Sequence, residues 1–179
     1  MPSAFGHALF ASALGASFRA PRAVIAAAAF CAVAPDFDVV AFRFGIPYAA
    51  PLGHRGFSHS LTFALLLGGA LALLLHGALR GAARPPLART LALLVLATAS
   101  HGFFDALTDG GLGVAFFAPF DHTRYFLPWR PIAVSPLDLA RFFSSRGLEV
   151  ATSEALWLGV PSALLWAAAR LTSPRRPAR

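Results

Sequence analysis

Apolar residues gather in long runs along this chain. Three runs hold almost no charge: Ser60–Leu79, Leu87–Leu107 and Glu154–Leu171. Each approaches the roughly 20 helical residues needed to cross a hydrocarbon core about 30 Å thick. Two shorter runs precede them. Residues 3–18, with Gly6 and Gly15, predict a first helix. Residues 23–34 predict a second, stopped by Pro35, and Arg19-Ala-Pro-Arg22 turns between the two. At 1.5 Å per residue these reach only roughly 24 and 18 Å. Their small residues suit close packing inside a bundle.

Proline and glycine punctuate the remainder. Residues 35–57 carry Pro35, Gly45, Pro47, Pro51, Gly53 and Gly56, which predicts a loop. Ser58 is the expected N-cap of a third helix ending near Leu79. A turn at Gly81–Pro86 leads to a fourth helix over Leu87–Leu107. Thr108–Gly147 is rich in aromatics and prolines and too broken to span. It predicts an interfacial or re-entrant cap, because Trp and Tyr favour the headgroup level. A last helix covers about Val150–Leu171, ahead of the tail Pro174–Arg179. No period of about 20–50 residues recurs, which excludes a solenoid. The expected fold is all-α: a polytopic transmembrane bundle of about four to five helices, the first two short. Residues 1–173 form one membrane-embedded domain, and 174–179 a basic cytoplasmic tail.

Composition agrees. The chain is 57% hydrophobic and 13% charged, where a soluble domain carries about 25% charge. Net charge is +7, and every basic residue is Arg. If each helix crosses, one end holds nine Arg (19, 22, 80, 84, 89, 170, 175, 176 and 179) and no carboxylate. The other end holds six Arg and all eight acids. The positive-inside rule puts the all-Arg end, with the C-terminus, in the cytoplasm, and the acidic end outside. Arg beside apolar spans reads as topology, so no nucleic-acid partner is expected. The expected partners are the bilayer and a small-molecule or lipid ester. One cysteine, Cys31, excludes an internal disulfide and a Cys-based zinc site. Ala32-Val33-Ala34 resembles a signal-peptidase site, but residues 4–18 are already apolar without a basic start. A retained helical hairpin is the reading adopted.

The chemistry gathers at the outward end. His7 starts the first helix and Asp36 and Asp38 follow the second; antiparallel helices bring them to one end. His54 and His59 flank Arg55 just before the third helix. His101 and Asp105, four apart, share a face near the end of the fourth. Ionisable groups in apolar helices default to a functional role. Imidazole and carboxylate without thiolate suit zinc, or manganese or iron. Such an ion lowers the pKa of bound water toward about 7 and polarises phosphoryl or acyl oxygens. The expected metal ligands are His7, Asp36, His59, His101 and Asp105, holding one or two divalent ions. Asp38 and His54 are expected as further ligands or acid/base groups, and Arg55 as the clamp for an anionic group. His76 is expected to be interfacial, and His122 and Arg124 to sit in a solvated loop. Asp109 is expected beside the ligands or as a helix-end carboxylate. Glu149 and Glu154 are expected to be solvated.

Taken together, His7, Pro35-Asp-Phe-Asp38, His54-Arg-Gly-Phe-Ser-His-Ser60, His101-Gly-Phe-Phe-Asp105 through Gly111, and Phe117-Ala-Pro-Phe120 resemble the bacterial YdjM-like family. That family comprises membrane-bound metal-dependent hydrolases, some of them LexA-regulated. The match runs in order over residues 5–130. It implies an inner-membrane, helical, metal-dependent hydrolase and leaves the substrate open. The order of His and Asp is also similar to zinc-dependent phospholipase C and P1-type nucleases, whose His-x-x-x-Asp aspartate bridges two metals. Their later His-x-x-x-Glu is absent here. The favoured function is metal-activated attack of water on a phosphoester or similar ester. The alternatives are a cation or proton transporter using the same cluster, and a scaffold with a structural metal.

Overall fold

The computed structural model describes residues 1–81, 84–136 and 138–172. The basic tail and part of the Gly81–Pro86 turn lie outside them. Helix α1 is Ala4–Ser17. Ser3 caps it, its hydroxyl accepting from the Gly6 amide at 3.2 Å. Helix α2 is Arg22–Val33. Regular α-helix ends just before Pro35, as expected, but the helical path does not. The chain continues as a 3₁₀ helix over Ala34–Phe44, with Pro35 in its first turn. A proline there forfeits no hydrogen bond, since that turn's amides have no partner inside the helix. Asp36 and Asp38 therefore sit on a helix, where a loop was expected.

Helix α3 is Leu61–Ala78. Its cap is Ser60, whose hydroxyl accepts from Phe63 N at 3.0 Å, and not Ser58. Helix α4 is Leu87–Ala106. A short α5, Leu139–Phe142, leads to α6, Ser145–Glu154. A π turn at Ala155–Gly159 joins α6 to α7, Val160–Leu171. Among the described residues, three helices are long and apolar enough to cross a membrane: Arg22–Phe44, Leu61–Ala78 and Leu87–Ala106. The second run thus reaches further than expected. The last run reaches less far as regular α-helix, because the π turn interrupts it.

Small residues set the packing. Ala11, Val24, Ala28, Cys31, Ala32, Ala72, Leu93, Leu94 and Ala97 form one core between α1, α2, α3 and α4. Helix α3 crosses α4 at Gly68, where an added Cβ would lie 2.7 Å from the Val95 nitrogen. Large apolar side chains point outward instead: Leu65, Leu66, Leu73 and Leu74 on α3 are each 60–67% exposed. In water that arrangement would be costly; in lipid it is the expected one.

The cap is stitched over one end of the bundle by backbone hydrogen bonds. Val114 and Tyr125 exchange a pair at 2.9 Å. Ala115 N donates to Arg55 O, and Leu61 N to Phe116 O. The last helix locks onto α1. Glu154 accepts from the Ser3 amide and, at 2.7 Å, from the Ser3 hydroxyl, while Leu158 packs against Gly6. Glu154 is thus an anchor for the start of α1, one turn before His7, and not a solvated entrance charge. Glu154→Ala should cost about 1.5–3 kcal/mol, the range for hydrogen bonds to a charged group. Thermal unfolding in detergent checks this. Glu149→Ala should leave the midpoint unchanged, since its one ion pair, with Arg146, is exposed.

Candidate metal centre

Four elements bring ionisable groups to the capped end. His101 projects from α4, and its Nδ1 lies 2.6 Å from the Ala32 carbonyl at the end of α2. A carbonyl only accepts, so Nδ1 carries the proton and Nε2 keeps its lone pair. That Nε2 faces His59 Nε2 at 3.0 Å, Asp36 Oδ1 at 3.2 Å and Asp105 Oδ2 at 3.9 Å. His59 follows the same logic. Its Nδ1 sits 3.2 Å from Asp38 Oδ2, and its Nε2 lies 3.4 Å from Asp105 Oδ2 and 3.7 Å from Asp36 Oδ1. Asp36, His59, His101 and Asp105 each offer one atom, all within 4.8 Å of one another and all buried.

This is a cluster of acceptors with too few donors. Among the described residues, neither oxygen of Asp36 or Asp105 has a hydrogen-bond partner. Buried carboxylates so placed are costly unless a cation answers them. Arg55 supplies one, its Nε 3.0 Å from Asp105 Oδ2. A metal ion fits what remains. Bonds of about 2.0–2.1 Å at tetrahedral angles put ligand atoms about 3.3 Å apart; the four distances between imidazole and carboxylate and the one between the imidazoles run from 3.0 to 3.9 Å, and the two carboxylates lie within 4.8 Å. Without an ion, a proton takes that place. Burial opposes charge on His59, but Asp105, Asp36 and Asp38 push its imidazole up to about 10.

His7 arrives from the far side. Its ring stacks on His101 at 3.9 Å, and its Nε2 is 3.5 Å from Asp105 Oδ1, the oxygen turned away from His59. It belongs to the site but stands outside the group of four. Both its nitrogens lack partners.

Asp38 is different in kind. Its Oδ1 lies 2.6 Å from His54 Nδ1. Its Oδ2 accepts from Ser58 Oγ at 2.5 Å and from the Arg55 amide at 3.3 Å. It is satisfied by hydrogen bonds and orients His54 and His59 through their Nδ1 atoms. Such carboxylate–histidine pairs fix the tautomer and raise ring basicity. A second triad, Asp38, His54 and His59, is also close enough for an ion, but its members already answer one another.

Arg55, expected as the clamp for an anionic group, is engaged by the protein on several sides. It is fully buried, with a left-handed backbone at φ 61°. Its Nη1 donates to Gly110 O at 2.9 Å and its Nη2 to Thr108 Oγ1 at 3.0 Å. One side of it borders a cavity of about 200 Å³ shared with Tyr48, His54 and Gly111. Arg124, expected in a solvated loop, ties that loop down instead. It donates to His54 O, Tyr48 O and Ala50 O. His122 is exposed. Asp109 holds the cap through Val134 N at 2.8 Å. His76 lies at the opposite end, beside Arg84. Sequence reasoning missed Ser58, Thr108 and Tyr48 as site-end partners. Ser58 was legible only as a helix cap.

A family profile for the YdjM inner membrane proteins matches residues 1–176. The chain belongs to the YdjM inner membrane protein family. It is 35% identical over 168 residues to the inner membrane protein YbcI of Escherichia coli K12, covering 92% of this chain and 95% of that one. No solved structure matches. Membership agrees with the three candidate spans among the described residues, and the buried His/Asp cluster beside them could hold a metal ion. His101→Ala and Asp105→Ala should each abolish stoichiometric metal binding, whereas His76→Ala should not; elemental analysis of detergent-purified protein decides this. A full complement of metal in His101→Ala would remove α4 from the site.

Proposed function

We propose that this chain is a metal-dependent hydrolase of the inner membrane, acting on a phosphoester or similar ester at the outer face. The observation that carries the reading is the meeting of His59, His101, Asp36 and Asp105, four acceptor groups that only a cation can reconcile. The donor set is nitrogen and oxygen without thiolate, which suits zinc, with manganese or iron as the other choices. Such an ion, when bound, lowers the pKa of a coordinated water and polarises an ester oxygen.

The protein's own groups supply the rest. His54 is held at Nδ1 by Asp38, so Nε2 is its proton-exchange atom. It borders the cavity beside the metal residues. There it takes a proton from the attacking water and returns it to the leaving alkoxide. Asp38 fixes the ring and stabilises the imidazolium. Arg55 holds Asp105 and faces the cavity, where it stabilises an anionic group. His7 supports the Asp105 carboxylate from its other oxygen. A transporter would need ionisable groups continuing inward. Among the described residues, α3 and α4 carry none between the cluster and the Arg-rich end except His76 and Arg89 beside that end.

Two measurements test this. His54→Gln should lower turnover of phosphodiester or phospholipid substrates by about 100- to 10,000-fold, the usual worth of a general base, with metal content unchanged. Loss of metal in that variant would make His54 a ligand instead. The second concerns orientation, which rests on the Arg asymmetry. A reporter fused after Arg179 should be active only as a cytoplasmic enzyme; activity confined to the periplasm would reverse the topology.

A further inference from the structure

We propose that the cavity above Gly111 is a phosphate subsite in which Arg55 Nη1 and Tyr48 Oη hold the anionic group. The inference deepens the hydrolase reading and rests on it. It is carried by the geometry at one glycine. Gly111 adopts φ 90°, and a Cβ added there would lie 2.7 Å from Arg55 Nη1 and 2.9 Å from Tyr48 Oη. Two donors from separate segments therefore pack against the bare α-carbon of one residue, which only glycine permits, and both border the same cavity. Arg55 Nη1 spends one hydrogen on Gly110 O and has a second to give. Burial pushes the Tyr48 phenol above its ordinary value, so it remains a donor at neutral pH.

Size and charge narrow the ligand. The cavity is about 200 Å³, below the roughly 300–1,000 Å³ of pockets that enclose whole drug-sized molecules. It admits a phosphate headgroup, with the remainder of the ester outside. Met1, His54, Val134 and Ser135 complete its wall. Three carboxylates, Asp36, Asp38 and Asp105, outnumber the cations Arg55 and protonated His59 in the metal-free site, and a divalent ion in place of that proton removes the negative excess. Anion binding is therefore coupled to metal binding. A phosphate seated over Gly111 touches the cavity face of Arg55, whose Nε faces Asp105, so subsite and metal residues share one guanidinium.

The test is equilibrium dialysis of detergent-purified protein against radiolabelled inorganic phosphate. Manganese-loaded wild type should bind phosphate saturably at one site, and chelator treatment should abolish this. Tyr48→Phe keeps the ring that packs edge-on against His54 at 5.0 Å. It should retain full metal content and bind phosphate about 10-fold or more weakly, as for loss of a hydrogen bond to a charged group. Unchanged affinity in Tyr48→Phe at full metal content, or no saturable binding by loaded wild type, overturns the subsite. Wild type that binds phosphate as described but hydrolyses no ester would leave the subsite standing and remove the enzyme.

Discussion

Two buried carboxylates without hydrogen bonds, Asp36 and Asp105, are the constraint around which this protein is arranged. A membrane protein cannot leave such groups to water. One guanidinium reaches only Asp105 Oδ2, and every other nearby nitrogen of His59 and His101 turns a lone pair or a shared proton toward the same point. The demand for a cation comes from the fold itself. Each Nδ1 is taken by an acceptor, Ala32 O or Asp38, which forces each Nε2 inward.

That constraint explains features remote from the ligands. Asp36 can approach His101 because α2 runs on through Pro35 as a 3₁₀ helix, carrying the carboxylate at the helix end over α4. His59 can approach because Gly102 lets its backbone lie against α4, where a Cβ would sit 2.7 Å from the His59 carbonyl. Arg55 reaches Asp105 from a left-handed backbone, a conformation that costs energy in a residue with a side chain. The cap offsets that cost by bonding Arg55 O and the adjoining His54 O.

Much of this was legible in the sequence. Run lengths gave the helices, and antiparallel alternation put His7, Asp36, His59, His101 and Asp105 at one end without any contact information. What the sequence concealed was partnership. Pro35 reads as a stop, because proline usually ends a helix, yet it is tolerated in a first turn. Ser58 and Ser60 are equivalent as caps by composition. Only the fold decides that Ser60 caps while Ser58 binds Asp38. Glu154 reads as a surface charge because its partner, Ser3, lies 151 residues away.

The contrast between Asp36 and Asp38 separates the roles within Pro35-Asp-Phe-Asp38. The two are neighbours on one 3₁₀ helix, where residues two apart project in different directions. Asp36 turns toward His101 and finds no donor among hydroxyls or amides. Asp38 turns toward the 54–59 loop and finds a hydroxyl, an amide and two imidazoles. A carboxylate already saturated by donors has little basicity left for a metal, whereas one without donors retains all of it. A shared acidic motif thus divides into one carboxylate left without donors and one orienting group. It does so because the 3₁₀ geometry aims two identical side chains into environments of opposite hydrogen-bonding character.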